Sequence, residues 1–325
     1  MKINKLIRSL ILLLALSVAG SALADLELRI SKTSNRGIPI VVAPIAGGAH
    51  AIIEADLNRS GRFKIVASQR ATNMATFGAT LDPARLKMLG AAFLVRGRRT
   101  PAGLDVEIVS TATGKRDASY RIANLPNQRR VAHKAADKIF EQLIKVKGAF
   151  DTRLVYVTVT GRAIKDRVYR LFVADADGYN PKEILSSRKP VMSPSWSSDA
   201  SQVAYVSFER GTPAIYVQNI FTGQKRMVSS RKGINGAPSW SPDGNYIIFQ
   251  ATIDEVFDIY RLELATGELV NLTNQERLDN MAVYSPDGQF IAFVSDPTFN
   301  PYVNTNPLPQ PDNYEIYMMN SDGTN

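Results

Sequence analysis

Residues 238–244 read PSWSPDG, and similar stretches occur at two other places in the chain, at a fixed spacing. Residues 194–200 read PSWSSDA and residues 282–288 read AVYSPDG, so each copy starts 44 residues after the one before it. Proline, aspartate and glycine after a serine are the residues that a type I β-turn favours. The stretch therefore predicts a tight turn that occurs once in each structural repeat.

The residues after each turn predict a set of short strands. In the third unit, an alternating run at 246–252 is followed by a second run at 258–264. A glycine turn at 265–268 then leads to a last short run at 269–273. Four short strands in about 44 residues is the size of a β-propeller blade. We therefore predict an all-β propeller for this part of the chain.

The aromatic residue of each turn motif has a structural explanation. Trp196, Trp240 and Tyr284 hold the same place in the three copies. A large aromatic side chain next to a repeated turn suits the apolar space between layers of a repeat protein. We predict that the three side chains pack between neighbouring blades, and we favour this role over a catalytic one.

The repeat predicts about four units between residues 150 and 325. The first is degenerate, and its DADG at 175–178 is predicted to form a hairpin turn, because the later ligands of a calcium loop are missing. The fourth carries an insertion at 296–313 whose five prolines predict an extended surface loop. The sequence also stops before a fourth strand of that unit, so we expect a C-terminally incomplete propeller.

Residues 38–148 follow a different pattern and predict a small α/β domain. The apolar run at 38–45 is typical of a buried strand, and residues 49–61 have helical spacing. Asp82 followed by proline predicts the start of a short helix. One face of a longer helix, which we expect to end at Gly148, carries Val131, Ala135, Ile139 and Leu143. The predicted fold class is a two-domain protein, with a small α/β domain followed by a β-propeller.

Residues 1–24 have the features of a signal peptide. A basic start is followed by an apolar run at 10–18 and by the small-x-small pattern of Ala22 to Ala24. The alternative, a transmembrane anchor, is disfavoured because the run is shorter than the ~20 residues that a span needs. We expect the mature chain to start at Asp25 and to be exported to the periplasm.

Charge and composition disfavour several classes of function. Removing the three basic residues of the signal peptide lowers the formal net charge from +9 to +6. The basic residues that remain are too scattered along the sequence for a nucleic-acid-binding surface. The chain has no cysteine and two histidines, so a disulfide framework is excluded and no metal site is expected. His133 is predicted to be exposed. The densest basic clusters, predicted to be solvated, are Arg96, Arg98 and Arg99 and then Arg129, Arg130, Lys134 and Lys138.

Several stretches resemble the TolB family, the periplasmic component of the Tol–Pal envelope system. They are RGIPIVVAPI (36–45), LGAAFLVRG (89–97), KGAFDTRLVYVTV (147–159), DADGYN (175–180) and the repeated turns. The turn alone is moderately specific, because many exported propellers share it. The order of signal peptide, small α/β domain and these repeats is highly specific.

The resemblance implies a six-bladed propeller protein without enzymatic activity or cofactors. It implies a monomeric adaptor that inserts into no membrane and supports outer-membrane integrity and envelope constriction at cell division. The implied partners are the lipoprotein Pal, the inner-membrane protein TolA and other envelope proteins. In that family a flexible N-terminal segment binds TolA, which by position is 25–37 here. Its candidate residues are Asp25, Leu26, Glu27, Leu28, Arg29 and Ile30.

The alternation of Leu26, Leu28 and Ile30 with charged residues suits a strand that adds to the edge of a partner sheet. An ordinary frayed terminus, or a strand fixed on the host domain, explains the pattern as well.

The axial face of the propeller is the site that the resemblance implies for Pal. In a propeller, the loops between the outer strand of one blade and the inner strand of the next open at one end. Exposed methionine and isoleucine in such loops suit a protein-binding patch, although they could instead plug the channel. The candidates are Met192, Ser193, Ile234, Asn235, Gly236, Ala237, Asn280 and Met281. Ile234 and Met281 stand where polar residues are expected, so the contacts should differ from the family's.

Two other functions stay open at this point. Exported serine peptidases carry similar propellers, but the chain has no Gly-x-Ser-x-Gly nucleophile elbow. A propeller that binds a small ligand in its channel could use Asn235, Asp279 and Asn280.

Overall fold

A computed structural model describes residues 37–253, 256–274, 278–296 and 314–324. The predicted signal peptide, the TolA segment up to residue 36 and residues 297–313 of the predicted insertion lie outside these residues. Among the described helices, none is both long and apolar enough to cross a membrane.

The first part of the chain is an α/β domain built on a five-stranded sheet of order β2-β1-β3-β4-β5. β1 pairs in parallel with β2 and β3, whereas β3, β4 and β5 form an antiparallel meander. The strands are β1 (Ile38–Val42), β2 (Phe63–Val66), β3 (Phe93–Thr100), β4 (Gly103–Ser110) and β5 (Arg116–Ala123), and the helices are α1 (Ala49–Arg59), α2 (Pro83–Lys87) and α3 (Gln128–Ile144).

Both faces of this sheet are covered, which explains the continuous apolar run of β1. Successive side chains of a strand point to opposite faces. Ile40 and Val42 belong to the core that α1 and α3 cover. Val41 packs on the other face, in a core that includes Leu86 of α2 and Ala71 of a 3-10 helix at Ser68–Met74.

The predicted start of α2 is right, and the predicted C-terminal end of α3 is wrong. The Asp82 side chain accepts a hydrogen bond from Ala84 N at 2.9 Å, and Pro83 begins α2. α3 ends at Ile144, before the predicted Gly148, because Lys145 takes a left-handed conformation with φ of 63°. The chain then turns back so that Phe150 N donates to the Asp137 carboxylate at 2.6 Å.

The second part of the chain forms four consecutive antiparallel sheets, one for each predicted unit. Sheet 1 comprises β6 (Arg153–Thr160), β7 (Val168–Asp175) and β8 (Lys182–Ser187). Sheet 2 comprises β9 (Val191–Trp196), β10 (Gln202–Ser207), β11 (Ala214–Asn219) and β12 (Lys225–Ser229). Sheet 3 comprises β13 (Asn235–Trp240), β14 (Tyr246–Ala251), β15 (Asp258–Glu263) and β16 (Leu269–Asn271). Sheet 4 comprises β17 (Leu278–Tyr284), β18 (Phe290–Asp296) and β19 (Glu315–Asn320).

The aromatic residues of the repeat pack between sheets, as predicted. Trp196 lies in a core shared by sheets 1 and 2, and Trp240 in one shared by sheets 2 and 3. Tyr284 packs in the core between sheets 3 and 4. The repeat therefore supplies the layers of a β-propeller fold and the apolar filling between them.

The repeated turn is a serine–aspartate hydrogen-bond motif. Ser241 Oγ donates to Asp243 Oδ1 at 2.5 Å and accepts from Tyr246 N at 2.9 Å. The other two copies repeat this arrangement. The last turn position is left-handed, with φ of 77° at Gly244 and 54° at Ala200. The predicted turn is confirmed, and so is the hairpin turn at 175–178, which connects β7 to β8.

The prediction that Arg96 is solvated is wrong. Its side chain is 3% exposed and its Nη2 lies 2.5 Å from Oε1 of the fully buried Glu107. Arg96 also donates to the backbone oxygen of Thr76 at 2.7 Å, and Gly78 N donates to Glu107 at 2.7 Å. The pair therefore attaches the loop before α2 to the sheet, and the loop covers both side chains.

Candidate functional site

The four sheets have two distinct ends, which the strand register identifies. Val191, Ser207 and Ala214 lie opposite one another across three strands of sheet 2. The connections at 188–190 and 208–213 therefore lie at the same end, together with the connection from β12 to β13. We call this the open end. The opposite end carries the serine–aspartate turns, and we call it the turn end.

The α/β domain packs against the turn end. Arg129 of α3 donates to the Asp177 carboxylate in the turn after β7, and its guanidinium carbon lies 3.9 Å from the centroid of the Tyr179 ring. A cleft of about 470 Å³ between the two parts is lined by Arg130 and His133 of α3 and by the turn that contains Asp199. The open end is consequently on the far side of the sheets from the α/β domain.

A β-bulge recurs near the open end in three inner strands. Ser193, Ala237 and Met281 have φ of 50°, 45° and 52°, and the register of β9, β13 and β17 shifts next to them. Left-handed backbone costs a residue with a side chain roughly 1–2 kcal/mol. All three positions are in the predicted Pal face and are spaced 44 residues apart. The bulge is thus a repeated element of the fold that re-aims the strand at this end.

Exposed apolar side chains lie next to these bulges. Met281 is 67% exposed, Ile234 45% and Met192 43%. Ser193 is also exposed, while Ala237 and Asn280 are partly buried. Because β9, β13 and β17 pack side by side, these residues share one end of the stack. We call Met192, Ser193, Ile234, Ala237, Asn280 and Met281 the axial patch.

Asn235 and Gly236 do not belong to this patch, because both are buried. Asn235 Nδ2 donates to the backbone oxygen of Arg231 at 2.9 Å, and its Oδ1 accepts from Ser229 Oγ at 2.8 Å. Further bonds with Arg231 N and the oxygen of Gly233 use the rest of its hydrogen-bonding capacity. The prediction of Asn235 as a side chain that contacts a partner is wrong, since this side chain fixes the loop that presents Ile234. Because these bonds use the polar atoms of Asn235, its side chain is not available to bind a small ligand in the channel either.

One residue of this end was missed in the sequence. Gln250 of β14 accepts a hydrogen bond from Met281 N at 3.1 Å and so ties the bulge of sheet 4 to sheet 3. The equivalent positions, 44 residues away on either side, are Val206 and Val294. A polar residue at a position that is apolar in the two neighbouring units is the sequence feature that could have identified Gln250.

The turn end contains a second feature that the sequence did not reveal. His133 is 1% exposed, and its Nδ1 lies 2.6 Å from Oδ2 of the equally buried Asp56. Its Nε2 lies 3.9 Å from Asp177 of sheet 1. The prediction of an exposed His133 is therefore wrong, because the helix face that carries it packs against α1 and the sheets.

His133, Asp175 and Asp177 bring one ring nitrogen and two carboxylate oxygens within 4.8 Å of one another, the only such grouping within the described residues. Arg129, bonded to Asp177, already supplies positive charge at this place. We therefore do not assign these residues as metal ligands.

The fold and the site together define a class of protein, a β-propeller with an α/β domain on its turn end and an apolar patch on its open end. The TolB amino-terminal domain family matches residues 26–124, and the TolB beta propeller domain family matches residues 140–307. The chain belongs to the TolB family.

Similar proteins agree with this assignment. The Tol-Pal system protein TolB of Methylococcus capsulatus is 40% identical over 235 residues, which are 69% of this chain and 55% of that relative. That of Thioalkalivibrio sulfidiphilus is 40% identical over 246 residues, 71% of this chain and 56% of the relative. A crystal structure of TolB from Acinetobacter baumannii matches with a TM-score of 0.70 and 29% identity, covering 91% of this chain and 83% of that one. The chain spans about half the length of the curated relatives that it matches.

Proposed function

We propose that this protein is a non-enzymatic periplasmic adaptor of the Tol–Pal system, supporting outer-membrane integrity and envelope constriction at cell division. In this proposal the axial patch binds Pal and the segment from Asp25 to Ile30 binds TolA. The membership of the TolB family supports a role in the Tol–Pal system.

The observation that carries the Pal assignment is the axial patch itself. Exposed methionine and isoleucine side chains cluster at the end that the α/β domain leaves uncovered, and Met281 is 67% exposed. Flexible methionine side chains adapt to a partner surface, and exposed apolar clusters mark protein-binding sites. The bulges at Ser193, Ala237 and Met281 repeat the same strained backbone at this end.

The adaptor role requires the two binding sites to communicate. The N-terminal segment precedes β1, which lies in the α/β domain at the turn end. Pal binding at the open end can change the availability of this segment only if Pal binds two states of the protein with different affinity. The ion pairs of Arg129 and His133 with sheet 1 are the contacts through which the relative position of the two domains would change.

Titration calorimetry with the purified periplasmic domain of Pal tests this proposal. We expect Met281→Arg to abolish measurable binding, because it puts a charge into the apolar centre of the interface. Met88→Arg is the matched control, because Met88 is 84% exposed and lies in the α/β domain. Binding by Met281→Arg equal to that of the control would overturn the assignment of the axial patch.

A further inference from the structure

Basic side chains border the axial patch on one side. The connections at the open end of sheets 1 and 2 carry many basic side chains, all of them exposed. They are Arg162, Lys165, Arg188, Lys189, Arg210, Arg231 and Lys232. We call these seven residues the basic rim.

The charge of the basic rim is not balanced locally. Among the described residues, none of the seven forms an ion pair with a carboxylate. The exposed carboxylates in the same connections are Asp166 and Glu209, and Glu209 is paired with Lys225 at 2.5 Å. The positive charge of the rim is therefore available to a partner.

The loops at the turn end carry carboxylates. Asp199, Asp243 and Asp287 occupy equivalent places in the three turns, and Asp322 follows β19 at the same end. Hydrogen bonds from Ser197 and then Ser201 lower the pKa of Asp199 to about 2, so it is ionised at neutral pH. The connecting loops of sheets 1 and 2 therefore carry mostly basic residues at the open end and carboxylates at the turn end.

The basic rim belongs to one side of the open end. Asp254 and Glu255 follow β14 in the sequence, and Glu276 and Arg277 follow β16; all four lie outside the described residues. The inference therefore concerns the side that sheets 1 and 2 form, next to Met192 and Ile234.

We propose that the axial patch and the basic rim together recognise an acidic protein surface, with an apolar contact on Met192, Ile234 and Met281 and carboxylates facing the rim. An apolar centre inside a charged rim is the usual anatomy of a specific protein interface. Rim charges mainly raise the association rate and select the partner, because they remain solvated and act at a distance. This inference rests on the proposed function, because it assigns the chemistry of the partner to the same face.

Association kinetics with the periplasmic domain of Pal test the inference. We expect the double variant Arg188→Glu and Lys189→Glu to lower the association rate constant about tenfold at low ionic strength. The effect should shrink as salt rises, because the Debye length falls from about 30 Å at 0.01 M to about 3 Å at 1 M. The matched control is Lys182→Glu with Arg226→Glu, which changes the net charge equally at exposed positions near the turn end. This control should leave the rate unchanged.

The outcomes separate this inference from the proposed function. If Pal binds and neither salt nor the rim variant changes the association rate, the acidic-partner inference is overturned while the adaptor function stands. If the wild-type protein shows no binding at any salt concentration, the proposed function fails and the inference with it. Binding to vesicles of phosphatidylglycerol that is as strong as binding to Pal, and is lost in the rim variant, would also overturn it in favour of a membrane surface.

Discussion

His133 Nδ1 lies 2.6 Å from Asp56 Oδ2, and both side chains are 1% exposed. The pair joins α3 to α1, and the second ring nitrogen of His133 faces Asp177 of sheet 1 at 3.9 Å. One buried histidine therefore contacts carboxylates of both domains. Two guanidinium groups complete the charge balance, because Arg59 bonds to Asp56 and Arg129 bonds to Asp177.

The stability of the protein should depend on the protonation of this histidine. Burial, the largest single influence, lowers the pKa of His133, but the hydrogen bond to Asp56 and the charges of Asp56 and Asp177 together raise it above its ordinary value. Because the folded pKa is the higher one, the stabilisation is fully present below the unfolded pKa of about 6.5 and is lost as pH rises through the folded pKa.

Urea unfolding of the wild type and of His133→Gln, at pH values from below about 6.5 to above the folded pKa of His133, measures how this histidine contributes to stability. We expect the free energy of unfolding of the wild type to exceed that of the variant most at low pH, and the difference to shrink as pH rises. His50→Gln is the control, because it removes the other histidine of the chain, whose Nδ1 accepts a hydrogen bond from Ile45 N. A difference that grows with pH would show that His133 is buried in its neutral form.

The ion pair of Arg96 and Glu107 should contribute strongly to the stability of the α/β domain. Glu107→Gln leaves the guanidinium of Arg96 buried without its counter-charge, which costs about 3–5 kcal/mol in the free energy of unfolding. Chemical denaturation measures this change. Glu141→Gln removes an exposed carboxylate that pairs with Lys138 and should leave stability unaltered. Equal effects of the two substitutions would mean that the loop before α2 does not depend on the buried pair.

The turn at 197–200 should gain stability from a glycine. Ala200 has φ of 54° at a position where the other two copies have Gly244 and Gly288. Relief of the left-handed strain in Ala200→Gly should raise the free energy of unfolding by about 1 kcal/mol. The reverse substitution, Gly244→Ala, should lower it by about the same amount, because the nearest atom to the new Cβ is Ser198 Oγ at an ordinary 3.6 Å. The same sign for both substitutions would rule out backbone strain as the cause.

Sequence spacing predicted the repeated parts of this molecule well. The turn motif, the sheets that follow it and the place of Trp240 between two sheets depend on local patterns that recur every 44 residues. The spacing also predicted that the loops of Met192, Ile234 and Met281 lie at the same end of the propeller, because equivalent loops of a propeller share an end.

The errors in the prediction concern contacts between residues far apart in the sequence. The pair of His133 and Asp56 spans 77 positions, and the lysine and alanine neighbours of His133 on α3 gave no sign of it. The prediction of a solvated Arg96 failed because its partner Glu107 lies opposite it on the neighbouring strand, a pairing that the basic cluster in the sequence does not reveal. Asn235 lies in the predicted loop, but its burial follows from hydrogen bonds that the spacing does not specify.

Hydrogen exchange of the protein alone and in complex with the periplasmic domain of Pal tests whether Pal binds the axial patch. We predict slower exchange on binding in residues 188–193, 230–237 and 278–281 at the open end, and unchanged exchange in the turns at 197–200 and 241–244. Protection confined to the turn end, or no protection under conditions where the complex forms, would contradict the assignment of the axial patch as the partner site.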